Sequence, residues 1–193
     1  MLSYALKAFD FLKIQYPNSG ENLRRLLYIS PVLLAILFCS FFGLIDYNSK
    51  LDINIFKHSA FDNISTFVQI LPGFYIGALA AIASYTYAPM DNVMSTPTPF
   101  LKEQVAGGFR ESKLSRRRYL TLMFGYLSAI SILSAVFIFI VRLVYAVNIF
   151  AVSATIYNII YYLIAFLFFF VFWQMILVTF FGIYYLADRM HRP

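Results

Sequence analysis

Few residues in this chain are of a type that does chemistry. The two histidines are His58 and His191, and the single cysteine, Cys39, lies inside an apolar run. A metal centre or an activated nucleophile needs several such groups converging at fixed spacing. The topology argued below puts His58 and His191 on opposite sides of a membrane, with Cys39 in a third place, so they share no site. No thiolate cluster, phosphate-binding loop or nucleophile–base pair is present. Asp46, Asp52 and Asp62 fall close together, but their irregular spacing reads as solvated surface rather than a cation site. One cysteine excludes an intrachain disulfide. The expectation is a non-enzyme with no cofactor and no metal.

The elements around these residues explain the poverty. The chain has 193 residues, of which 61% are hydrophobic and 12% charged. A soluble core of this size cannot absorb so much apolar surface. The expected class is an all-α integral membrane protein: a single membrane domain with four transmembrane helices and an N-terminal amphipathic helix. Residues 1–22 form the amphipathic segment, with Leu2, Ala5, Leu6, Phe9, Leu12 and Tyr16 near helical spacing. It lies on the membrane or packs on the bundle. Lys7, Asp10 and Lys13 break any early apolar core, which argues against a cleaved signal.

Spans are expected at about 23–45, 64–87, 119–141 and 157–186. Ser30-Pro31 invites a helix start, but Pro31 to Ile45 alone would reach only about 22 Å against a core of about 30 Å. A helix from near Leu23, bent at Pro31, is expected instead. Asp46 to Asn63 forms a loop, with Leu51, Ile53 and Ile55 hinting at an extended piece. A turn must fall between Arg142 and Thr155. Apart from Arg24 and Arg25 at the entry to the first, the four spans contain no Asp, Glu, Lys, Arg or His, which argues against proton relays and ion-coupled transport. Gln69 and Gln174 are read as buried amides bonding between helices.

The stretch LPGFYIGALAAIASY, Leu71 to Tyr85, carries Gly73, Gly77 and Ala81 at four-residue spacing. On a helix these make one smooth stripe, the signature of close helix contact in lipid. Pro72 is expected to kink this helix. The stripe is expected at the buried centre of the bundle. A second small face, with Gly125 and Ser128, lies on the third span and is expected to pack against it.

Residues 88–118 form the longest polar segment. Its prolines and glycines exclude a long regular helix over the first two thirds. It ends in the basic group Lys113, Arg116, Arg117 and Arg118, read as contacts either to lipid headgroups or to a partner. No aromatic interleaving accompanies these charges, so direct nucleic-acid binding is not expected. Lysine and arginine favour the cytoplasmic side. Twelve lie in the N-terminal segment, the central loop and the tail, against Lys50, Lys57 and Arg142 on the other side. Both the N and C termini and the loop 88–118 are therefore expected to be cytoplasmic.

Two stretches carry a family likeness: LPGFYIGALAAIASY with the Pro89-Met90-Asp91 turn after it, and SRRRYLTLMFGYLSAIS from Ser115 to Ser131. Across residues 64–135 the chain resembles the small four-span membrane subunits of the Kiwa anti-phage defence system, the KwaA family. The resemblance implies a homo-oligomer, a tetramer, in the bacterial inner membrane. It implies a sensor and scaffold that recruits or regulates a cytoplasmic DNA-binding effector, a KwaB-like protein. The resemblance carries no catalytic residues. The competing expectation is a pore-forming membrane effector, holin-like or of the abortive-infection kind, with the serine face of the third span as its path.

Overall fold

The computed structural model describes residues 6–17, 25–49, 54–105, 108–147 and 154–186. Four long helices dominate it: α1 (Ser30–Ser49), α2 (Ala60–Ser84), α3 (Arg116–Val147) and α4 (Ala154–Tyr184). All four are long and apolar enough to cross a membrane. Helices suit that setting because every backbone donor and acceptor is paired within the segment. At 32 residues, α3 is about 48 Å long and outruns the hydrocarbon core.

Several boundaries differ from expectation. Helix α2 starts four residues before the expected span and ends at Ser84, while Pro72 sits inside an unbroken helical assignment. Arg142 lies within α3, which runs on to Val147. Residues 148–153, within the window where a turn is expected, lie outside the described residues, as do Asp52 and His191. Leu51 and Ile53 also lie outside them, and Ile55 forms a short 3-10 turn with Phe56 and Lys57 rather than an extended piece. Helicity before Pro31 takes the form of a wide π turn over Arg25–Ile29.

Helix α2 packs on α3, α3 on α4, and α4 on α1. Helix α1 is thus peripheral and the least buried of the four. The α3–α4 contact is close at Gly182, where a Cβ would lie 2.6 Å from Met123 Cε. Of the two amides, Gln174 meets expectation. It accepts from Tyr126 Oη at 2.6 Å and donates to the Leu27 carbonyl at 2.7 Å. Gln69 does not: it is exposed and donates only within its own helix, to Ser65 Oγ at 3.2 Å.

The N-terminal segment packs on the bundle. Its described part is a 3-10 helix, Leu6–Lys13. Phe11 is buried, stacked on Tyr126 at 5.6 Å and edge-on to Tyr119 at 6.0 Å. At the opposite end of the bundle, Phe56 inserts among Phe61, Tyr145, Tyr161 and Phe168. Such ring pairs are each worth about 0.5–1.5 kcal/mol beyond the area they bury. Tyr161 Oη accepts from the Ile55 amide at 3.1 Å, which holds this plug in place. Arg142 bridges α3 to α2 at the same end, 2.6 Å from Asp62.

Candidate functional site

The polar segment between α2 and α3 folds into an element that the all-α expectation omits. Strands β1 (Phe100–Val105) and β2 (Gly108–Lys113) pair antiparallel, with Val105 opposite Gly108. Gly108 has φ 149°, a conformation that favours glycine. The signal for this hairpin was present as Gly107-Gly108 between two strand-length runs. The polarity of those runs masked it.

Backbone bonds broaden the base of the hairpin on both edges. Gln15 and Phe100 exchange amide bonds at 3.0 and 2.9 Å. Val93 bridges to Ser115, and the Met94 amide donates to the Leu114 carbonyl at 3.1 Å. The hairpin therefore ties the N-terminal segment to the α2–α3 connection.

Two arginines of the predicted contact group hold this platform to the bundle while keeping part of each side chain exposed. Arg117 makes a two-pronged contact with Asp91, Nε to Oδ1 at 2.7 Å and Nη2 to Oδ2 at 3.0 Å. Its Nη1 donates to the carbonyls of Ile82 and Tyr85, both at 2.8 Å. The last carbonyls of a helix lack intrahelical donors, and the dipole there favours a cation. Arg117 meets both needs for α2. Its hydrogen bonds hold the Asp91 carboxyl below the usual carboxylate range. Arg118 pairs with Glu103 of β1 and donates to Ser112 Oγ of β2 at 2.9 Å. Ser115 caps α3, accepting from the Arg118 amide at 3.3 Å. Arg117 and Arg118 thus have partners within the chain as well as partly exposed side chains. Arg116 is half-buried.

Lys113 remains exposed, on β2. The register puts Lys102, Phe109, Glu111 and Lys113 on one face of the hairpin. Phe109 is 77% exposed, an isolated ring on an otherwise polar strand. One phenylalanine among 22 carries no sequence signal until a fold exposes it.

The small-residue stripe is also corrected. Gly73, Gly77 and Ala81 lie on the outer surface of the chain, not at its centre. A Cβ at Gly73 or Gly77 would meet nothing within 4 Å. Helix α2 buries its other face, through Val68, Leu71, Tyr75 and Ile82. The steric reason is that Tyr75 reaches α4, its hydroxyl 2.6 Å from Thr179 Oγ1. Gln69 extends the exposed ladder by one four-residue step. On the third span Gly125 is half-buried with open space at its Cβ, whereas Ser128 is buried.

No protein-family model matches the chain, and neither a curated protein nor a solved structure is significantly similar to it. Among the described residues no group of His, Cys, Asp and Glu is arranged to hold a metal ion.

Proposed function

We propose that this chain is a membrane-embedded, oligomeric sensor and scaffold subunit of a bacterial anti-phage defence system, of the KwaA kind. It recruits or regulates a cytoplasmic DNA-binding effector. The likeness to that family lies in the stretches Leu71 to Tyr85 and Ser115 to Ser131. The observation that carries the scaffold reading is the hairpin platform. It is clamped to the bundle by Arg117 and Arg118 and presents Phe109 with Lys102 and Lys113 on one exposed face. An exposed aromatic ringed by charge fits an interface hot spot. The face carries Lys102 and Lys113 against Glu111, a positive balance of one charge that favours an acidic partner surface.

The reading puts the platform and both termini in the cytoplasm and the spans in the inner membrane. The charge count supports this orientation. The fold is compatible with it, since Arg142 and Asp62 pair at the end away from the platform. Self-association through α2 is supported by the exposed ladder Gln69, Gly73, Gly77 and Ala81. An amide facing lipid gains from a partner helix, and small residues let one approach. A tetramer remains the expected size.

The pore-former has less support. Ser131 Oγ donates to the Ser128 carbonyl at 2.9 Å and Ser134 Oγ to the Ile130 carbonyl at 2.8 Å. Hydroxyls spent on their own helix make a poor lining for water. The deciding experiment is purification of the tagged protein from its host in mild detergent, with mass determination of the complex. A stoichiometric soluble partner, lost in Phe109→Ala/Lys113→Glu, is the expected result. A partner-free oligomer that conducts in planar bilayers would establish the pore instead.

A further inference from the structure

A groove lies between α3 and α4. It encloses about 390 Å³ and is walled by Leu133, Val136 and Ile140 of α3 and by Leu167 and Val171 of α4. Ser134 is the one polar side chain in the wall, and its hydroxyl is already bonded to the Ile130 carbonyl. Nothing in the lining seeks a polar partner, so whatever fills the groove is apolar.

We propose that this groove binds one fatty acyl chain of a membrane lipid as a resident ligand. Its position comes first. The groove lies mid-way along two spans of mean hydropathy 2.5, and Leu133, Val136, Ile140 and Leu167 are exposed at its mouth. In a bilayer that mouth opens sideways into hydrocarbon, where neither water nor a polar ligand is at home.

Size points the same way. A dry apolar cavity of about 150 Å³ accommodates benzene, six carbons. About 390 Å³ therefore takes roughly fifteen carbons on that scale, close to one acyl chain. The wall also disfavours the other apolar occupant, a helix from a second copy. Close helix approach in lipid uses small side chains. The exposed small-residue ladder is on α2, whereas this lining, Ser134 apart, is built of leucine, isoleucine, valine and phenylalanine. Finally, the groove is preformed. Phe168 lines it and is held edge-on by Phe61 at 5.2 Å and by Phe56 at 6.2 Å. A rigid wall spares the ligand an ordering cost.

The test is photolabelling of the full chain in liposomes containing phosphatidylcholine with a diazirine on its palmitoyl chain. Adducts are mapped by peptide mass spectrometry. Leu37 and Leu44 of peripheral α1, both well exposed, report ordinary contact with bulk lipid. Severalfold enrichment at Val136 and Leu167 over these two is expected. In Leu133→Trp, which fills the groove, that enrichment falls to the α1 level. Labelling equal to α1 in the wild type would mean bulk lipid contact only and would overturn the proposal. Labelling below α1 would mean that protein covers the groove, and overturns it too. The wild-type ratio stands whether or not the variant folds.

Discussion

Gln174 donates from Nε2 to the carbonyl of Leu27 at 2.7 Å. Pro31, four residues after Leu27, has no amide hydrogen to give that carbonyl. A side chain 147 residues away thus completes a backbone that its own sequence leaves open. The same amide accepts from Tyr126, so one glutamine joins α1's entry turn, α3 and α4.

Gln174→Leu is expected to lower stability by about 1–3 kcal/mol, because it strands a buried carbonyl and a buried hydroxyl. Combined with Pro31→Ala, which restores a backbone donor for Leu27, the loss should be smaller than with Gln174→Leu alone. Unfolding of the four proteins in the same detergent checks this double-mutant cycle. Additive losses would refute the pairing of Pro31 with Gln174.

The Arg117–Asp91 contact should show in pH dependence. The Asp91 carboxyl titrates below its ordinary 3.8 because Arg117 bonds its charged form. A lowered folded value means the stabilisation is complete above 3.8 and is lost as pH falls through the lower folded value. The melting temperature of Asp91→Asn is therefore expected to lie below wild type at neutral pH. The gap should close in strong acid. Arg117→Lys keeps the charge but loses the fork, and should behave like Asp91→Asn rather than like wild type.

Two glycines should respond oppositely. Gly182→Leu drives a side chain into Met123 and Phe124 and is expected to cost about 1–3 kcal/mol or more. A Cβ at Gly77 has nothing within 4 Å, so the melting temperature of Gly77→Leu should hold while oligomer mass in mild detergent falls. Unchanged mass would count against the α2 face as the contact.

On the platform, Phe109→Ala is expected to weaken partner retention about tenfold or more, the loss typical of an exposed aromatic anchor. Its folding should be unaffected, since the ring is 77% exposed. Arg118→Ala should also weaken retention, but by loosening the hairpin, seen as faster amide exchange across β1 and β2. Pull-down yield and hydrogen exchange together separate the two effects.

What the sequence determined by itself was local or compositional. Four apolar runs and their charge-bearing ends announce four membrane-length helices, because hydropathy and helix length are properties of a single segment. Pro31 marked a break in the helical path for the same reason. The direction in which a helix faces is not local. Gly73, Gly77 and Ala81 read as a contact stripe, but only the packing of Tyr75 against Thr179 turns that stripe outward. Arg117 and Arg118 read as free basic charge until the carbonyls of Ile82 and Tyr85, Asp91 and Glu103 converge on them from distant parts of the chain. Phe109 became conspicuous only once a hairpin put it beyond the reach of the core. Tertiary structure decided each of these, since a side chain's partners depend on which segments meet, and that is set by the mutual packing of all four helices.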